Sequence, residues 1–238
     1  MALIAKMEQQ ESVSGVALLT GAAHDLGNHM SAIQGFSELL LMSGLEAEQR
    51  QTFSQNINRL SVELLQQFRN LVDYSKIVAE GLELEFSTVA LDALIHKRVS
   101  HFQDRAEKKN IVLKFESSLQ SSLQLDVVRM TQVIDQLLSN AIKFSPLGGQ
   151  VDLILSADEN EVVFSVQDQG EGIDKEEQNQ LFSALHCLST QPTEGEFGLG
   201  LGLALAKQIV VAHKGVINVC SKFNEGSCFS VVLPISPA

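Results

Sequence analysis

Apolar residues recur along the first eighty positions with the period of a coiled coil. From Val16 they fall at Leu19, Ala23, Leu26, Met30 and Ile33, pass through Ser37 and resume at Leu40, in steps alternating between three and four. Gly44 then breaks the pattern. A second seam runs Phe53, Ile57, Leu60, Leu64, Gln67, Leu71, Tyr74 and Val78. The pattern predicts two long antiparallel helices, each about 50 Å long at ~1.5 Å per residue. One hairpin cannot enclose seams of this size, whereas two hairpins paired into a four-helix bundle do.

Gly81 to Thr88 is the expected joint, dividing the chain into residues 1–84 and 85–238. Beyond it the period changes. Leu91 to Lys108 reads as a helix with Leu94, Ile95, Val99, Phe102 and Ala106 on one side. Ile111 to Glu116 alternates like a strand, and Asp126 to Lys143 is a second helix closed by Ser145-Pro146-Leu147-Gly148-Gly149. Strands are expected at Gln150 to Ser156 and Glu161 to Gln167, and helices near Lys175 to Phe182 and Leu201 to His213. A last hairpin pairs Val216 to Ser221 with Ser227 to Leu233. Strands joined by hairpins and interspersed with helices predict an α+β fold, with an α/β sandwich following the helical hairpin, rather than a doubly wound parallel sheet.

Composition narrows the function. Among 238 residues, 45 % are hydrophobic, enough for a sizeable core, and the net charge is −12. That balance excludes broad binding to a nucleic-acid backbone, which depends on cationic side chains. It leaves room for one small phosphate site built from glycines and helix ends. Three cysteines without a CxxC pair, no apolar leader and no run long enough to cross a bilayer predict a cytoplasmic setting.

Two glycine clusters are the candidate chemistry. Asp168-Gln169-Gly170-Glu171-Gly172-Ile173 closes a strand, and Gly198-Leu199-Gly200-Leu201-Gly202-Leu203 opens a helix. Glycines at a helix start let backbone N–H groups approach a phosphate. Neither cluster is a dinucleotide fingerprint or a Walker loop, because the flanking βαβ unit and the GK[ST] are missing.

Taken in order, the motifs are more specific. His24-Asp25-Leu26-Gly27-Asn28, then Asn140-Ala141-Ile142-Lys143-Phe144, then DQGEGI, then GLGLGLALAKQIV resemble the sensor histidine kinases of two-component systems, whose ATP-binding domain is of the GHKL type. The resemblance runs from about Val13 to Pro234. It implies a dimerisation and histidine-phosphotransfer domain over 1–84, a catalytic domain over 85–238, ATP and Mg²⁺ as cofactors, a homodimer, and a response-regulator receiver domain as partner. His24 matches the phosphoacceptor, Asp25 its acidic neighbour, and Asn28 the position that orients water for dephosphorylating the regulator. Asn140 matches the Mg²⁺ ligand, with Gln136 where a second amide ligand stands. Lys143 and Phe144 complete that box, with Lys143 expected on phosphate. Asp168 matches the adenine reader above Gly170 and Gly172. Gly198, Gly200 and Gly202 match the mobile lid and the start of the phosphate-binding helix. His24 and Asn28 lie outside the seam and four residues apart, hence on one helix face.

The chain departs from the family pattern at Gln136, which replaces Asn, and at His29, which replaces a proline. In LFSALHCLS, Ala184, Leu185 and Cys187 stand where the family places Pro, Phe and a basic residue. The expected function is ATP-dependent phosphorylation of His24 and transfer to a regulator aspartate, with phosphatase activity toward that regulator. The alternative is a nucleotide-binding phosphotransfer or phosphatase-biased module with weak or no autokinase activity. A gyrase-type ATPase is disfavoured by the hairpin that bears His24.

Overall fold

The computed structural model describes residues 26–118, 122–186, 192–193 and 198–235. The chain forms two compact units, Met1–Val72 and Asp73–Ala238, whose boundary falls inside a helix.

The first unit is the helical hairpin. Helix α1 covers 26–40 and α2 covers Ala47–Glu80, 34 residues, with the reversal at Gly44 held at a φ of +89°. Leu60, Leu64, Gln67 and Leu71 lie on the covered side of α2, as its seam predicts. The register of α1 differs from expectation. Met30 is 60 % exposed and Ser37 is exposed, while His29, Ile33, Phe36 and Leu40 are covered. Packing decides this: the rings of Phe36 and Phe53 meet with centroids 5.9 Å apart. Ser37 instead returns its hydroxyl to the Ile33 carbonyl at 2.9 Å. The end of α2 belongs to the second unit: there the seam position Val78 is exposed and Ile77 packs on that unit's own core.

In the second unit a five-stranded sheet packs against helices. The elements are β1 (Ser87–Val89), α3 (Leu91–Lys108), β2 (Val112–Ser117), β3 (Leu123–Leu125), α4 (Val127–Phe144), β4 (Gln150–Ala157), β5 (Glu161–Gln167), α5 (Lys175–Gln178), α6 (Gly202–Ala212), β6 (Val216–Ser221) and β7 (Ser227–Pro234). The order is β2-β4-β5-β7-β6. The β2–β4 pair is parallel and the other pairs antiparallel. Period-two alternation turns Val151, Leu153 and Leu155, then Val162, Phe164 and Val166, then Phe229, Val231 and Leu233 into the core. Against them lie Met130, Val133, Ile134, Leu137, Leu138, Ala141 and Ile142 of α4. The expected helix at Lys175 to Phe182 is a single turn ending at Gln178.

A short second sheet pairs β1 with β3, Val89 facing Leu123. It leads into the cap of α4. Asp126 accepts the N–H groups of Val128 and Arg129 at 3.0 Å through Oδ1, and that of Glu85 at 3.0 Å through Oδ2. His213, at the end of α6, accepts the Asp126 N–H on Nε2 at 3.0 Å. One carboxylate therefore ties the segment after α2 to the start of the helix that carries Asn140.

Candidate nucleotide site

The site sits where β5 ends beside the C-terminal half of α4. Asn140, Phe144, Asp168, Gly170, Gly172 and Leu203 line an open pocket, together with Glu171, Ile173, Ser227 and Phe229. Five of these ten, Asn140, Phe144, Asp168, Gly170 and Gly172, are positions to which the resemblance assigns nucleotide contacts.

Asp168 is 5 % exposed. Its Oδ1 accepts the backbone N–H of Gly170 at 2.8 Å and that of Ser227 at 3.2 Å. The pair is closed by the Asp168 N–H, which donates to the Ser227 carbonyl at 2.8 Å. Both side-chain bonds fall on Oδ1, leaving Oδ2 to accept from a ligand. Burial raises the carboxyl to about 6, against the opposing pull of the Gly170 and Ser227 amides. A buried carboxylate with one committed oxygen is suited to accept from an exocyclic amine.

The glycines permit close approach of backbone. Gly172 holds a φ of +74°, and a Cβ there would run into the Lys222 carbonyl of the β6–β7 turn. At Gly202 the backbone is ordinary, but a Cβ would collide with the Gln136 side chain. The first turn of α6 therefore lies directly against α4.

That contact assembles the amide pair. Gln136 donates from Nε2 to Asn140 Oδ1 at 2.9 Å, one turn apart on α4. Lys143 carries its Nζ 5.2 Å from the Phe144 ring centre and 3.3 Å from where a Gly198 Cβ would stand. Leu185 donates its N–H to the Gly200 carbonyl at 3.1 Å, so 185–186 pack on the second glycine cluster. No group of three or more His, Cys, Asp or Glu side chains stands ready for a metal among the described residues. A cation here would take amide oxygens and complete its shell with ligand phosphates and water, which suits a hard ion.

In the first unit Asn28 is exposed on α1. His29 is 9 % exposed, with Nε2 3.8 Å from Glu63 Oε2. His24, Asp25 and Cys187 lie outside the described residues. Sequence reasoning missed Ser227, whose amide joins Asp168 from 59 positions away, and the apolar walls Ile173, Leu203 and Phe229. Inward alternation along β7 was the available signal for Phe229. For Ser227 there was none, because the pairing is set only by strand register.

Comparison with known proteins agrees with this geometry. The His Kinase A (phospho-acceptor) domain model matches residues 16–80, and the histidine kinase-, DNA gyrase B- and HSP90-like ATPase model matches 125–237. The chain is 32 % identical over 224 residues to the non-motile and phage-resistance protein of Caulobacter vibrioides, covering 91 % of this chain and 27 % of that protein. It is 27 % identical to sensor histidine kinase YcbM of Bacillus subtilis, covering 98 % and 74 %. The chain thus spans about a quarter of the first relative and about three quarters of the second. Among solved structures, histidine kinase ThkA in complex with response regulator protein TrrA superposes with a TM-score of 0.71 at 24 % identity, covering 98 % of this chain and 65 % of that one. Full-length ShkA in complex with AMPPNP gives 0.67 at 26 %, covering 93 % and 46 %. No helix among the described residues is long and apolar enough to cross a membrane. The chain belongs to the sensor histidine kinases, with a phosphoacceptor helical domain followed by a GHKL-type ATP-binding domain.

Proposed function

We propose that this chain is a transmitter core that phosphorylates His24 from ATP and passes the phosphoryl group to an aspartate of a response regulator. The observation that carries the reading is the cavity flanked by Asp168 and Asn140, which offers an amine acceptor at one end and amide oxygens at the other. Asp168 Oδ2 accepts from the adenine amine, and Gly170 and Gly172 let the chain pass beneath the base. Asn140, with Gln136 held to it, binds Mg²⁺, which when bound neutralises charge on the phosphates. Lys143 and the glycines Gly198, Gly200 and Gly202 receive the phosphate chain. The γ-phosphorus–oxygen bond to ADP breaks as a His24 imidazole nitrogen attacks, and Asp25 stabilises the positive charge that develops on the ring. Burial of His29 within the hairpin supports His24 as the acceptor.

The functional division lies at 84/85, with phosphotransfer before it and nucleotide chemistry after it. Homodimerisation has support on α2. Val62, Leu65, Phe68 and Val72 form a second apolar stripe, 60, 55, 55 and 36 % exposed, as a four-helix bundle requires. The neighbour ThkA is seen with a response regulator, and the same class of partner is proposed here, with Asn28 orienting the water that hydrolyses its aspartyl phosphate. ATP as substrate and free thiols at Cys220 and Cys228 fit a cytoplasmic setting.

A second reading, a phosphatase-biased module with weak autokinase activity, is favoured by Ala184, Leu185 and Cys187 in LFSALHCLS, where Cys187 takes the place of the family's basic residue. Incubation with γ-labelled ATP separates the two. Label on wild type that is lost in His24→Gln supports the kinase, and ATP binding without label supports the second reading.

A further inference from the structure

Lys109 is 1 % exposed, at the turn between α3 and β2. A buried ammonium is costly unless its donors are met. Its Nζ donates to the Ile142 carbonyl at 3.1 Å, the Lys143 carbonyl at 3.3 Å and Thr193 Oγ1 at 2.6 Å. The first two acceptors belong to the last turn of α4, where carbonyls lack partners within the helix and the dipole is negative. The third reaches into the stretch that leads to Gly198.

Thr193 completes the arrangement. Its N–H donates to the Lys143 carbonyl at 3.2 Å, and its hydroxyl donates to the same oxygen at 3.0 Å while accepting from Lys109. Thr193 is thus held on the backbone of Lys143, and Gly198 lies beside the ammonium of the same residue.

We propose that Lys109 and Thr193 form a clasp on the last turn of α4 that positions Lys143 for the phosphates of the nucleotide. Both are positioning residues that act through the carbonyls of the last turn of α4, which carries Lys143. The proposal rests on the ATP reading above, with adenine at Asp168 and phosphates at the Lys143 end. It predicts that loss of the clasp weakens recognition of phosphates and leaves recognition of the base intact.

The test compares wild type with Thr193→Val, which keeps the shape and removes the hydroxyl, and with Thr193→Ser, which restores it. Thr193 is exposed, so neither change opens a cavity. Calorimetry with Mg²⁺-ATP and titration with adenosine followed by NMR read the two ends of the site. Thr193→Val is expected to bind ATP about five- to twentyfold more weakly, with adenosine affinity unchanged and Thr193→Ser within about twofold of wild type. Lys109→Met should lose ATP affinity further, with Lys109→Arg intermediate. Thr193→Val binding ATP as wild type does, or losing ATP and adenosine affinity alike, overturns the clasp alone. Wild type failing to bind ATP overturns both the clasp and the ATP reading.

Discussion

The Gln136 amide donates to Asn140 Oδ1 at 2.9 Å, and the first turn of α6 closes over the pair at Gly202. The oxygen proposed for Mg²⁺ is thereby oriented before any ligand arrives. Replacing the neutral amide by a carboxylate places a full negative charge beside the phosphates. Asn140→Asp is expected to lower kcat/KM for autophosphorylation at least tenfold, about 1.4 kcal/mol. An initial-rate assay over a range of Mg²⁺ concentrations checks it; a wild-type rate removes Asn140 from the metal site.

Asp168 gives a pH dependence with a defined sign. Its folded-state carboxyl titrates at about 6, above the ordinary carboxylate value of 3.8, because burial disfavours its charge. The folded form therefore binds the proton more tightly than the unfolded chain does. Stability from this group is fully present below about 3.8 and is lost as pH rises through about 6, a change on the order of 3 kcal/mol. Adenosine binding runs the opposite way, weakening as pH falls below 6 and the acceptor is protonated. In Asp168→Asn both trends should disappear, and adenosine should bind at least tenfold more weakly at pH 7.5. Denaturant titrations and adenosine titrations at pH 5, 6 and 7.5 are the measurement.

His24→Gln should abolish labelling from γ-labelled ATP while ATP affinity stays within about twofold of wild type. His29→Gln should keep its label, since His29 is packed in the hairpin against Glu63. Label that persists in the first variant and vanishes in the second would exchange the two assignments.

Element boundaries in the second unit are legible because every second residue of the middle of β4, β5 and β7 is apolar and turned inward, and α3 and α4 carry continuous apolar faces. The register of α1 was not, since Phe36 and Ser37 offer two neighbouring seams and only the approach of Phe53 chooses between them. Three-residue strands such as β1 and β3 are too short to show a period. The parallel pairing of β2 with β4 is a tertiary choice that neither strand encodes alone. At the site, the motifs located Asn140 and Asp168. The partners that orient them, Ser227 among them, depend on register between distant segments.

Arg98 on α3 makes a two-pronged contact with Asp135 on α4, Nε to Oδ1 at 2.6 Å and Nη2 to Oδ2 at 2.9 Å. Burial raises the Asp135 carboxyl despite the arginine's opposing pull. Arg98→Met leaves that carboxylate half-buried and unpaired, and should destabilise the domain by roughly 1–3 kcal/mol. Arg98→Met combined with Asp135→Leu should recover most of the loss. Urea unfolding of the two variants distinguishes this from a simple loss of packing, in which the double variant would be worse.

Cys187→Arg restores to LFSALHCLS the basic residue that the family carries there, for the γ-phosphate. A charge-assisted contact to phosphate is worth about 1.5–3 kcal/mol, so autophosphorylation at saturating ATP should rise roughly tenfold. An unchanged rate would show that the missing cation does not limit the enzyme.

The mutual bonds of Asp168 and Ser227 join positions 59 apart, with β7 among the last strands to be made. The hairpin, by contrast, closes through near neighbours such as Phe36 and Phe53. Local contacts form early and distant ones late. At about 5–20 residues per second, synthesis from Asp168 to Ser227 occupies several seconds. During that interval the hairpin can close while Asp168 still lacks the Ser227 amide. The wall of the pocket beside Asp168 is therefore completed only when β7 pairs with β5.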